Sequence, residues 1–173
     1  MEIDKVLFKT NENEYGNDYR AHYLEMYKLY VTMADGISAR RQSANTFFLT
    51  INSAIIAVLG YVQFGVYLGA KLGVEQFQTN DFYFIISLLG MILCLIWYKL
   101  VHSYEQLNTA KFKVIHHIEQ HMPIAPFDAE WEAVGKGEKP YLYKPFTHVE
   151  EKIPWVFFIL NLAVFLKVGL SYL

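Results

Sequence analysis

Residues 42–70 read QSANTFFLTINSAIIAVLGYVQFGVYLGA, 29 positions without an acidic or basic side chain. A helix of that length reaches roughly 43 Å, more than the roughly 30 Å hydrocarbon core of a bilayer. The membrane part is placed near Thr46 to Leu68, with the helix overhanging at both ends. Two further runs follow. Phe82 to Tyr98 touches the lower length limit for a span and continues through Leu100 and Val101 past Lys99. Ile153 to Leu166 is extended by Val168 to Leu173, with Lys167 interrupting near the end. Both lysines sit where a long stem can carry the ammonium to the headgroups. Three spans result; a re-entrant or interfacial helix is the alternative for the third.

Composition agrees. Hydrophobic residues make up 54% of the 173 and charged residues 18%, against about 45–50% and about 25% in soluble domains. The apolar excess is concentrated in the three runs rather than mixed through the chain. A net charge of −2 excludes a nucleic-acid binder, which needs a clustered basic face. The single cysteine, Cys94, lies within an apolar run, so no intrachain disulfide forms. Residues 1–20 hold no apolar h-region, and no cleavable signal peptide is expected.

The Lys and Arg distribution orients the spans. Six precede the first span (Lys5, Lys9, Arg20, Lys28, Arg40, Arg41) and seven lie between the second and third (Lys99, Lys111, Lys113, Lys136, Lys139, Lys144, Lys152). The loop between the first two holds Lys71 alone. The expected arrangement is a cytoplasmic N-terminal segment and amphipathic helix (1–44), a first span (45–70), an external loop (71–81) and a second span (82–101). A cytoplasmic helix extension (102–122), a cytoplasmic connector (123–152) and a third span (153–173) with an external C-terminus complete it.

Both extensions should be helical. Tyr23, Tyr27, Tyr30, Ala34 and Ile37 recur at four- and three-residue steps. No proline interrupts Tyr19 to Gly73, so one helix can run from the cytoplasm into the bilayer, with Gly36 its weak point. The second span runs on without proline to Met122, with a partial stripe of Tyr104, Phe112, Ile115, Ile118 and Met122. Two such stripes on one membrane face pack as an antiparallel hairpin, or each lies on the membrane surface. Pro123, Pro126, Gly135, Gly137, Pro140 and Pro145 make the next stretch a connector. Asp128 is expected to cap a short helix through Trp131 to Val134, ended by Gly135. Thr147 and Glu150 form a capping box opening a helix before the third span. Pro154 inside it implies a kink, and Trp155 suits the headgroup level.

Inside the first span, Gly65, Gly69 and Gly73 are spaced by four, as Ser53 and Ala57 are earlier. Small residues at this interval let helices approach closely in lipid. Asn45, Asn52 and Gln63 fall within about 20° of one helical face, and amides in a bilayer need partners. Hydrogen bonding between helices and the lining of a pore both answer that need.

Catalytic patterns are absent. His117 and His121 stand at i, i+4, the spacing that lets two imidazoles share an ion, beside His116, Glu105 and Glu119. No third ligand stands at sensible spacing, so a solvated helix face is the default and no metal or cofactor is assigned. His102 past the second span has no evident partner for haem. Gly135-Lys136-Gly137 is too short for a phosphate loop, and no G-x-S-x-G elbow occurs. The chain is read as no enzyme.

The stretch Ser38-Ala-Arg-Arg-Gln-Ser-Ala-Asn-Thr-Phe-Phe-Leu-Thr-Ile-Asn52 resembles the RipA-like family of octameric bacterial membrane proteins. Gln106-Leu-Asn-Thr-Ala-Lys-Phe-Lys-Val-Ile115, and Pro145-Phe-Thr147 through Glu150 to Ile153-Pro154-Trp155, agree with it. The resemblance covers most of the chain from Ser38 onward; residues 1–37 match nothing. It implies a homo-octamer in the bacterial inner membrane and brings no activity or cofactor. The amides and the glycine row would then be subunit contacts. At the membrane boundary, Arg40 and Arg41 would pair with Glu105 or Glu150. The expected partners are other copies of the chain, membrane lipids and an unidentified cytoplasmic protein. Three functions compete: a non-enzymatic scaffold with a cytoplasmic crown, a ring-shaped channel, and a membrane metal or redox protein. The third span offers little polarity beyond Asn161 and Lys167, which favours the scaffold.

Overall fold

The computed structural model describes residues 3–72, 79–138, 141–142 and 147–172, with the backbone alone for Thr147 and His148. Its elements are helical: α1 (Ile3–Leu7), α2 (Glu12–Tyr15), α3 (Tyr19–Leu72), α4 (Asn80–Glu119), α5 (Pro126–Ala133), a 3-10 turn (Gly135–Gly137), α6 (Thr147–Glu150) and α7 (Ile153–Leu170). Three of them, α3, α4 and α7, are long and apolar enough to cross a membrane. The chain is an all-α membrane protein with three spans. By their contacts the residues form two compact units. Met1–Arg41 with Ser103–Phe146 is here the polar unit; Gln42–His102 with Thr147–Leu173 is the membrane unit.

In the membrane unit, α4 buries Tyr83, Ser87, Gly90, Cys94, Trp97 and Val101. The steps alternate four and three, the 3.5-residue period that keeps one seam facing a partner helix. From α3, Phe48, Asn52 and Leu59 are buried. Phe48 stacks on Trp97, ring centroids 5.9 Å apart and nearly parallel. At the other end Leu59, Tyr83 and Val168 bring all three helices into one cluster. The pairing of Phe48 with Trp97 and Leu59 with Tyr83 makes α3 and α4 antiparallel.

The third helix follows the membrane-unit part of α4. Phe157 packs by Trp97, Phe165 lies 4.5 Å from Phe84, and the Tyr172 hydroxyl donates to Asp81. Its 18 residues make a helix of about 27 Å, close to the hydrocarbon thickness. This is a spanning helix, not a re-entrant one. Pro154 sits in its first turn, and the chain turns at residues 151–152 after α6 ends at Glu150. The kink expected at Pro154 is therefore absent. The helix stops and restarts, and a first-turn amide has no intrahelical acceptor for proline to remove. The capping box at Thr147 falls on a side chain outside the described residues.

In the polar unit the tyrosine stripe of α3 lies against the end of α4. The Tyr23 hydroxyl donates to the Ile118 carbonyl at 2.6 Å, and the Lys111 ammonium sits 4.3 Å above the Tyr30 ring. Ala34, Ile37, Ile115 and Ile118 are buried. These pairs run in opposite chain directions, so the expected antiparallel hairpin forms within this unit. Helix α3 continues through Gly36. Helix α4 ends at Glu119, short of Met122, and three-residue turns from Ile118 to His121 and Glu119 to Met122 carry the chain on towards Pro123.

Helix α7 meets α4 at Gly90. A Cβ built there would lie 2.4 Å from Asn161 Oδ1, so the amide occupies the place where a larger residue's side chain would begin. Gly90→Ala should lower the thermal midpoint of the detergent-solubilised protein, since overpacking costs about 1–3 kcal/mol. Adding Asn161→Ala should recover most of that loss. Circular dichroism melts of the single and double variants check both statements.

Candidate functional site: buried polar groups in each unit

Asparagines in a helix that crosses lipid must find donors and acceptors within protein. Asn45 Oδ1 accepts from the indole N–H of Trp97 at 2.8 Å. Asn52 is fully buried; its Nδ2 donates to the Phe48 carbonyl at 2.8 Å and its Oδ1 accepts from the Cys94 thiol at 3.2 Å. Asn161 is equally buried. Its Nδ2 donates to the Phe157 carbonyl one turn back, while its Oδ1 meets no donor among the described residues. Ser87 returns its hydroxyl to the Tyr83 carbonyl at 2.7 Å. The two first-span asparagines thus join α3 to α4 within one protomer.

Gln63 departs from that pair and is exposed. It lies eleven residues after Asn52, an interval in phase with a straight helix but not with a 3.5-residue seam. The seam passes through Val62 and Val66, both half-buried, and leaves Gln63 one position outside. Gly65 meets nothing within 4 Å of where a Cβ would be, and neither does Gly69. The small-residue row therefore faces away from the protomer's own described residues. Gly73 lies outside them.

The membrane boundary holds His102. Its Nδ1 lies 3.3 Å from Glu151 Oε1, and its ring stacks on Tyr98. A partner 49 residues away is not visible in local spacing. Of the other boundary residues, Arg40 is exposed, and Arg41, Glu105 and Glu150 are half-buried.

The polar unit holds a buried carboxylate. Glu119, 1% exposed, accepts from the Tyr27 hydroxyl at 2.7 Å. It also accepts from the backbone N–H groups of Phe127 at 3.2 Å and Asp128 at 3.0 Å. Those amides open α5, so Glu119 caps that helix from a distance, with the helix dipole favouring its charge. Asp128 was expected to be the cap. It lies inside the first turn instead, and its carboxylate meets His116 Nδ1 at 2.8 Å. Helix α5 stops at Ala133, and Gly135 follows at φ 68°, the left-handed residue the sequence supplies there.

His117 and His121 are engaged separately. His117 Nδ1 lies 3.3 Å from Asp4 Oδ1. His121 Nδ1 lies 3.1 Å from the His117 carbonyl, and its ring packs on Phe8 at 4.5 Å. Nothing in this geometry turns both imidazoles towards one ion.

Inward-facing amides, an interhelical glycine notch and apolar outer faces define a multi-span membrane protein built for helix association. The chain belongs to the Octameric membrane protein family (8xMP), whose family model matches residues 24–170. That match accords with the resemblance carried by residues 38–52, 106–115 and 145–155. No curated protein and no solved structure matches the chain.

Two measurements test the Glu119 cap. Glu119→Ala strands three donors, each costing about 1–3 kcal/mol when buried and unpaired. Hydrogen exchange should speed up across 126–133 while staying unchanged in the spans. Burial, the Glu119 hydrogen bond and the Glu119 charge also push the Tyr27 phenol up from 10.0 to about 12. The phenol's stabilising contact is therefore fully present below about pH 10 and lost as pH rises towards about 12. Tyr27→Phe should flatten the fall in thermal midpoint across that alkaline window.

Proposed function

We propose that this protein is a non-enzymatic scaffold, a homo-octamer of the bacterial inner membrane whose polar unit organises partners on the cytoplasmic face. One observation supports the scaffold over a conducting ring. The asparagines of the spans turn inward to Trp97, Cys94 and the Gly90 notch, leaving outer faces rich in exposed apolar and aromatic side chains such as Tyr61, Phe64, Ile85 and Ile159. An axis assembled from such faces presents few polar groups, and a hydrophobic constriction excludes water and ions. Orientation rests on lysine and arginine: six before the first span and seven between the second and third, against Lys71 alone between the first two.

The alternative, a ring-shaped channel, draws on one exposed amide. Gln63 is exposed on α3, whereas the Thr46 and Thr50 hydroxyls earlier in the span return to carbonyls of their own helix. A metal or redox role has less support, since His117 and His121 serve different contacts.

Planar-bilayer recording from purified octamer separates the readings. The scaffold predicts a silent membrane across physiological voltages and ions. Discrete unitary currents that change with Gln63→Leu would establish the channel instead.

A further inference from the structure

Helix α3 carries a second apolar stripe that its own chain leaves uncovered. Met26, Leu29 and Met33 recur at steps of three and four. They are 63%, 53% and 50% exposed, beside the seam of half-buried Tyr27 and Tyr30 and buried Ala34 but turned about 100° from it. Lipid chains do not account for this stripe. It lies in the polar unit, outside the charge-free runs, among His22, Glu25, Lys28 and Asp35. Of these, Glu25 and Lys28 pair with each other at 2.8 Å beside the stripe.

We propose that the Met26–Leu29–Met33 stripe docks against a neighbouring copy of this chain. The occupant follows from the family: copies of an octameric protein must cover one another's surfaces, and a row of large apolar side chains outside the bilayer is what such contacts cover. The 3.5-residue period of the stripe matches a helical partner. Further along α3, at exposed positions in the same step pattern, stand Thr50, Ala54 and Ala57. Small residues there allow close helix approach where lipid gives no hydrophobic drive. A closed assembly of eight copies uses two different faces of each protomer, and this stripe supplies one of them. The inference rests on family membership and not on the scaffold reading.

The test places a photo-crosslinking benzoylphenylalanine at Leu29 in the full chain in membranes. Irradiation should yield covalent dimers in which residue 29 is joined to a peptide of the same sequence. Cross-links to lipid alone, or to no copy of the chain, overturn the proposal. In parallel, Leu29→Asp with Met33→Asp should weaken the octamer by at least about tenfold in mass photometry. Leu24→Asp, at an exposed residue elsewhere on α3, should leave it intact. An unchanged octamer in the double variant overturns the proposal if helicity is native. If helicity is lost, the cross-link decides.

Discussion

An asparagine side chain buried among hydrocarbon has nowhere to place its hydrogen bonds except on protein, and the membrane unit is arranged around that constraint. Asn45 and Asn52 fix where α3 meets α4, one through an indole and the other through a thiol. Asn161 fixes where α7 meets α4, by seating its amide on the one buried glycine of that helix. Leucine packing alone would tolerate sliding between apolar helices in lipid, because no hydrophobic drive distinguishes one register from another. Amides with specific partners do not tolerate it. The aromatic pairs, Phe48 on Trp97 and Phe84 on Phe165, then fill the register that the amides select.

The polar unit meets a similar requirement with a charge. Among the described residues a phenol and two backbone amides, not an ammonium or guanidinium, hold the buried Glu119. This joins the tyrosine stripe, 92 residues away in sequence, to the end of α4 and the start of the connector. An anion held by oriented dipoles loses less of its interaction to salt than a surface ion pair does. The hairpin and the connector thus share one fixed point.

Much of the architecture was legible from the sequence because it rests on run length and period. Charge-free stretches announced the spans, the lack of proline announced long helices, and Tyr23 to Ile37 announced the hairpin. The departures have physical causes. Gln63 was grouped with Asn52 on a straight-helix period, whereas paired helices follow 3.5 residues and leave it outside. Asp128 looked like a cap because caps are usually local; the group that caps α5 is on another helix. Pro154 looked like a kink because the break before α7 carries no glycine to mark it. His102 and Glu151 meet only in the folded chain. Gly90, alone in the second span, has a tight neighbour in Asn161, while Gly65 and Gly69 of the conspicuous row in the first span meet nothing among the described residues.

Cys94 is the chain's only cysteine, 1% exposed and donating its hydrogen to Asn52. Shielded on all sides and engaged as a donor, it is a poor target for water-soluble thiol reagents and oxidants. The native chain is therefore chemically quiet, and a cysteine introduced anywhere on its surface reports on that position alone. Topology, subunit spacing and partner capture can all be mapped by labelling, without first removing a residue that sets the register of two spans.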